Sequence, residues 1–409
     1  MTNKLPDIFL YNPTCEYAVA SGNPWWQPNR LLQKMETDMA AIPMFLAQKG
    51  DYILVGKKPS SQFCDTFEAL GIGIPEFILI KEALRNTDFL KIPKRKLKPW
   101  GWSPAAHQLL SPLKPACSDD FLESPVANWK PEYRELYSRR FALDVLKRLT
   151  EEYNHPAFLP EFQFPEICKT KNEMEALVNR WGKLLVKAPW SSSGRGLQPV
   201  TKTPVHPKVW EKLLGIINIQ GFVMVEPLLE KALDLAFQFE ISKGKISYLG
   251  ISNFVANHKG QYAGNHLNGL PGHIDPEVAA FAAVVPGFLI GPLVHILGNS
   301  DLAKNYEGNF GVDTLIYYDQ ARKLKINPCL EINLRQNMGL LSLTLEKIIH
   351  PDKKAMFRTH YHPDISFSRF KKEMEEKHPV VVSENKLVSG FLPLTDTDEN
   401  TMFGAFLFV

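Results

Sequence analysis

Residues 311–335 read GVDTLIYYDQARKLKINPCLEINLR, and this stretch decides the fold. Two apolar-rich runs, Val312–Tyr318 and Leu324–Asn333, flank a polar turn near Ala321–Arg322, which is the pattern of a β-hairpin. Side chains alternate across a strand, so Glu331 and Asn333 share one face while Ile332 and Leu334 take the other. The turn sets Asp313 opposite roughly residue 330, where it joins them if the register agrees. Three oxygen donors on one face suit Mg2+, which takes carboxylate and amide oxygens and keeps positions for phosphate and water. Arg335 projects the same way if the strand continues, adding a cation beside the metal. A solvated polar face is the competing reading, but the apolar alternation argues that the hairpin is packed on one side.

Outward from the hairpin, strands are expected at Phe222–Glu226, Leu235–Ile241 and Ile246–Ile251. The period-two run DLAFQFEI (234–241) and the SKGK turn after it predict an antiparallel sheet. The final FGAFLFV reads as a buried strand. Further upstream, LLVKAPWSSSGRGLQPV (184–200) delivers Lys187 on a strand (Lys183–Ala188) and opens at once into Ser191, Ser192, Ser193, Gly194, Arg195 and Gly196. Hydroxyls, amides and a close backbone approach suit an anion, although no GxxxxGK[ST] is present and an ordinary Ser/Gly hairpin loop reads equally well. In YSRRFALDVLKRL (137–149), Ser138 is an N-cap that puts Arg139 and Arg140 in the first helical turn. Cations there oppose the helix dipole, so a polyphosphate, or neutralisation by Glu132 and Glu135, must account for them. In VMVEPLLEKALDLAFQF (223–239), the strand end Glu226-Pro227-Leu228-Leu229 and then Asp234 offer an adenine edge and a ribose carboxylate.

The first 90 residues have the rhythm of a small open α/β sheet: strands at Ile8–Tyr11, Tyr52–Val55 and Phe77–Ile80, and a helix over Pro28–Ala47. The loop NPTCEYAVASGNPWWQPN is long enough to serve a ligand, or to cap the core with Trp25 and Trp26. KIPKRKLK (91–98) reads as a solvated linker rather than a polyanion patch, and seven prolines from Pro93 to Pro131 mark an irregular domain connection. The expected division is 1–130, an α/β domain with a proline-rich linker, then 131–220 and 221–409, two α+β subdomains.

Length and composition agree with a multidomain globular chain: 409 residues, 44% hydrophobic, 22% charged, net charge +3. That balance argues against nucleic acid as a partner. Five scattered cysteines suggest reduced thiols, and the N-terminus lacks a signal-peptide pattern, so a cytoplasmic location is expected. Residues 278–300 carry no Asp, Glu, Lys or Arg, yet two prolines and several polar residues favour a buried helix, kinked or broken near Pro286, over a membrane span.

In this order the four segments resemble the ATP-grasp superfamily from about Arg139 to Arg335, with a matching α/β domain ahead. KA…GRG at Lys187–Gly196 is similar to the phosphate loop of biotin carboxylases, and EINLR to their metal and catalytic strand. SRRF at Ser138–Phe141 is similar to the first nucleotide-contacting basic position of carbamoyl phosphate synthetases, and YEGNFGVD at Tyr306–Asp313 to the approach to the first metal carboxylate. The resemblance implies ATP between two subdomains. Arg139, Lys187 and the loop Ser191–Arg195 would hold its phosphates, Glu226 and Leu229 would border the adenine, and Asp234 would meet the ribose. Asp313, Glu331 and Asn333 would bind Mg2+, while Lys187 and Arg335 carry catalysis.

The implied activity is a ligase that forms a C–N bond through an acyl phosphate, releasing ADP and phosphate. Its partners would be a small-molecule or peptide carboxylate and an amine-type acceptor, with a homodimer as the assembly the superfamily suggests. A kinase acting on a hydroxyl and a non-catalytic ATP-binding module are the alternatives. Arg139 where many members have lysine, Pro227 without an N–H at the hinge, and serine in place of glycine in the loop depart from the family pattern. For the substrate, the irregular segment 252–273 offers His258, Lys259, Tyr262 and Asn265, facing Asn12 and Glu16 of the first loop. His258, His266 and His273 match no standard zinc spacing.

Overall fold

A computed structural model of the chain describes residues 4–191, 196–257 and 260–409 and gathers the strands into three main sheets and one hairpin. The first sheet is parallel. Its strands β1 (Asp7–Leu10), β2 (Tyr52–Val55), β3 (Glu76–Leu79) and β4 (Lys96–Pro99) lie in the order β3-β2-β1-β4. β1 is buried along its whole length, as expected of a central parallel strand.

Two expectations are corrected here. The helix expected over 28–47 stops at Asp38 (Arg30–Asp38), and a 3-10 turn, Ile42–Phe45, follows. Pro43, with no N–H to give, cannot continue an α-helical ladder. The basic run 91–98 is not a solvated linker either, because β4 is part of it. Leu97 enters the core there, and Lys98 reaches Asp7 at 2.9 Å. Lys94 is fully buried and donates to the carbonyls of Phe89 (2.7 Å), Leu90 (3.3 Å) and Ile92 (2.6 Å), so helix-end carbonyls solvate its charge. The proline-rich stretch beyond is a series of short helical turns whose Leu110, Leu113 and Phe121 join the main core.

The second sheet is antiparallel, with β5 (Glu166–Cys168), β6 (Leu184–Lys187), β7 (Leu197–Val200) and β8 (Val223–Pro227) in the order β5-β8-β6-β7. Helices Lys171–Trp181 and Pro207–Gln220 supply Leu177 and Leu213 to a core of its own.

The third sheet contains β9 (Glu230–Ser242), β10 (Lys245–Ala256), β11 (Tyr262–Leu267), β12 (Gly308–Tyr318), β13 (Leu324–Asn333) and β14 (Ala355–Tyr361). A small hairpin, β15 (Val381–Ser383) with β16 (Lys386–Ser389), precedes β17 (Phe391–Pro393) and β18 (Phe403–Phe408), which complete the sheet. Its order is β13-β12-β9-β10-β11-β14-β18-β17, antiparallel throughout. The SKGK turn closes β9 on β10 with Lys243 and Gly244 both at positive φ, the geometry a two-residue hairpin needs.

One face of this sheet buries Phe237, Phe239, Val312 and Ile316 in the same core as helices Arg139–Tyr153 and Pro276–Gly298. The opposite face meets helix Met338–Leu345 and the first sheet, where Tyr11, Trp100, Leu341, Phe357 and Leu407 share one core. Helix Pro276–Gly298 runs unbroken through Pro286 and Pro292, against the expected kink or break. Its stripe of Val278, Val285, Leu289, Leu293 and Ile296 is buried, and that packing holds the helix together. Among the described residues it is the one helix long and apolar enough to cross a membrane, with 33% of its most apolar window buried.

Candidate active site

The register of β12 on β13 sets Asp313 directly opposite Glu331, and Gly311 opposite Asn333. On the other side of β12, Asp313 faces Ala236, so Asp234, two residues along β9, lies on the same side of the sheet. Four polar side chains from three strands therefore line one face. Burial first, and then the Glu331 charge, push the Asp313 carboxyl up to about 7, with the Asn333 hydrogen bond and Arg335 partly offsetting them. Two carboxyls so placed are eased by a shared proton or a cation, and the donor set fits a divalent metal. Among the described residues no three His, Cys, Asp or Glu side chains converge, so such an ion would rest on two carboxylates and the Asn333 amide.

Among the described residues, Arg139, Arg140, Lys187 and Arg335 each already have a partner. Arg139, first residue of its helix and 6% exposed, donates to Glu331 Oε1 (2.7 Å), Ser191 Oγ (2.7 Å) and the Ala188 carbonyl (2.6 Å). Ser138 caps that helix by accepting from the Arg140 amide at 3.1 Å. The two arginines then part: Arg140 pairs with Glu135 at 3.2 Å and lies over the Phe222 ring. Lys187 pairs with Glu226 at 2.6 Å across β6 and β8, both groups largely buried.

Arg335 reaches the face by another route than the one expected. β13 ends at Asn333 and the chain turns tightly, the Arg335 amide donating to the Asn333 carbonyl at 2.9 Å. Its guanidinium then donates to Asn333 Oδ1 (2.9 Å) and to Glu16 Oε1 (3.0 Å). Burial, the largest single influence, would favour loss of its proton, but the Glu16 charge and hydrogen bond, joined by other neighbouring charges including Glu331, together outweigh it and hold the group above its ordinary range.

On the nucleotide side, the Leu228 amide donates to the Lys183 carbonyl at 3.0 Å, which removes it from the proposed adenine edge and leaves Leu229. Asp234 is 8% exposed and accepts from Lys231 Nζ at 2.6 Å; burial raises its carboxyl above the usual range. Ser192, Ser193, Gly194 and Arg195, and His258 and Lys259, lie outside the described residues. Tyr262 donates to Asn265, both turned inward. Asn12 is committed to the backbone of Gly101, donating to its carbonyl at 2.8 Å. Trp25 is 72% exposed, so it does not cap the core.

Sequence reasoning missed Gln238, 1% exposed on β9 opposite Gly311, whose amide donates to Ser252 Oγ at 3.2 Å. The signal was present: in DLAFQF the polar Asp234 and Gln238 share the side that carries Asp313. At the far, turn end of β12 and β13 lies a cleft of about 990 Å3, lined by Lys147, Phe158, Phe162, Tyr317, Asp319 and Lys325. None of the residues singled out for chemistry lines it.

No protein-family model matches the chain, and no curated protein matches it. Solved structures do. Biotin carboxylase from Campylobacter jejuni, in a beta-gamma-ATP complex, aligns with a TM-score of 0.52 at 11% identity, over 99% of this chain and 87% of that one. The biotin carboxylase domain of 2-oxoglutarate carboxylase from Hydrogenobacter thermophilus, with MgADP, ADP and bicarbonate, gives 0.49 at 12% identity over 99% and 86%. N5-carboxyaminoimidazole synthetase from Staphylococcus aureus, complexed with ADP, gives 0.47 at 12% identity over 99% and 93%. The chain has the ATP-grasp fold with an α/β domain ahead of it, as the four sequence segments imply.

Proposed function

We propose that this chain is a Mg2+-requiring ligase that uses ATP to join a carboxylate to an amine on a small molecule or peptide. The observation that carries the reading is the convergence of Asp313, Glu331, Asn333 and Arg335 with Arg139 on one sheet face. Phosphoryl transfer asks for positioning and charge neutralisation more than for a covalent catalyst, and these residues offer both. Asp313, Glu331 and Asn333 would hold Mg2+, which neutralises phosphate charge when bound. Arg139 and Lys187 turn from Glu331 and Glu226 to the phosphates, Leu229 and Glu226 border the adenine, and Asp234 meets the ribose.

A carboxylate oxygen of the substrate attacks the γ-phosphorus, the bond to the bridging oxygen breaks, and ADP leaves with that electron pair. The amine nitrogen then attacks the acyl carbon, the C–O bond to phosphate breaks, and the nitrogen gives up a proton. Arg335 stabilises the negative charge of the tetrahedral intermediate. All five cysteines are free and four of them are buried, which supports a reducing compartment such as the cytoplasm.

The test is ADP release from Mg·ATP, screened against pooled amino acids, small carboxylates and polyamines. Release stimulated by one pool and lost in Glu331→Gln is expected. Stimulation that survives intact in Glu331→Gln contradicts the assignment.

A further inference from the structure

The first βα loop, residues 11–14, leads into helix Cys15–Ser21, whose first turn brings Glu16 to the site. Asn12 and the Gly101 backbone hold that loop in place, and a Cβ on Gly101 would collide with Cys15 Sγ and come within 3.1 Å of the Arg335 Cβ. Glycine at 101 therefore lets residues 15 and 16 close on Arg335. Glu16 is 7% exposed; its Oε1 takes the Arg335 Nε–H at 3.0 Å, while Oε2 is buried and, among the described residues, has no hydrogen-bond partner. Arg335 in turn uses Nε on Glu16 and Nη2 on Asn333, and among the described residues Nη1 donates to nothing.

A buried carboxylate oxygen without a donor is costly, and native structures seldom leave one so. The other ionisable groups beside the pair do not supply that donor as a cation. Burial keeps the Cys15 thiol and the Tyr137 and Tyr306 phenols neutral. One anion and one cation thus stand side by side, each with one edge unused.

Resting on the ligase reading above, we infer that Glu16 and Arg335 together receive a zwitterionic substrate. Its carboxylate lies on Arg335 Nη1, and a protonated amine borne by the same molecule lies on Glu16 Oε2. The substrate class is an amino acid or a compound that ends in one. A carboxylate lacking the amine would leave Oε2 unpaired, which sets a selectivity of about tenfold or more.

The experiment compares ADP release with the pool of amino acids against the matched 2-hydroxy acids and the matched amines without a carboxylate. The amino acids should exceed both by at least about tenfold in kcat/KM. Glu16→Gln should raise KM for the amino acid by a similar factor while leaving calorimetric Mg·ADP binding unchanged. Hydroxy acids that match the amino acids, or a KM untouched by Glu16→Gln, overturn the inference. If no pool stimulates release, thermal shifts with each pool in the presence of Mg·ADP decide. A shift given by amino acids and lost in Glu16→Gln supports the inference, and no shift overturns it. Failure of Mg·ADP itself to bind would overturn the ligase reading as well, and so marks the two failures apart.

Discussion

The two ends of the β12–β13 hairpin invite comparison. The turn end opens on the cleft of about 990 Å3, where Lys147, Asp319 and Lys325 are half or fully exposed. The strand end holds Arg139, Lys187, Asp234 and Asn333, each less than 10% exposed. Charges surrounded by protein act on one another far more strongly than charges in water. Enclosure, and not volume, therefore marks the end at which charge can be used for chemistry.

Paired substitutions at the two ends sharpen or break that contrast. Arg335→Met should lower pool-stimulated turnover by about 10²–10³-fold while nucleotide affinity, read by calorimetry, stays within a few-fold. Phe162→Ala in the cleft should leave turnover within about twofold, and a larger loss there than at Arg335 would break the comparison. Next in size, Glu331→Gln should weaken Mg2+-dependent nucleotide binding by about tenfold or more. The same loss without Mg2+ would point instead to Arg139, released from its acid.

Smaller effects test the electrostatics without any ligand. The Asp313 carboxyl is pushed up from its ordinary value of 3.8 to about 7, so the folded chain holds a proton there that the unfolded chain sheds. Stability of the metal-free protein should therefore fall as pH rises from about 4 to about 7 through this group. Asp313→Asn should flatten that dependence and stabilise the protein at pH 8 by about 1 kcal/mol, a figure discounted because Asp313 keeps some solvent contact. An unchanged slope in denaturant titrations would contradict the buried pair. Ser138→Ala, which removes the cap of the helix that carries Arg139, should lower stability by about 1 kcal/mol, measured the same way.

The hairpin and its site were legible because strand alternation and a short turn fix the geometry of residues close in sequence. The turn at Ala321–Arg322 brings Asp313 near Glu331, and a register shift between Asp313 and Leu315, which the sequence does not announce, sets the two opposite; the α/β rhythm of the first 90 residues needed only its apolar runs. The partners of the cations were illegible, since Arg139 meets Glu331 and Arg335 meets Glu16 through tertiary approach. The misreading of 91–98 has a related cause. Lys98 in β4 and the buried Lys94 just ahead of it can leave solvent because Asp7 and helix-end carbonyls receive them, and composition alone carries no trace of those acceptors. Pro286 misled for a similar reason, since a packed stripe on either side outweighs one missing hydrogen bond.

Trp100 and Tyr11 share their core with Phe403 and Leu407, which lie at the other end of the sequence. During synthesis the first sheet thus emerges long before the strand that covers it. At about 5–20 residues per second, its apolar side stays uncovered for tens of seconds. Production of this protein should therefore depend on whatever shields nascent chains, and truncation before β18 should leave the first domain sticky rather than merely shorter.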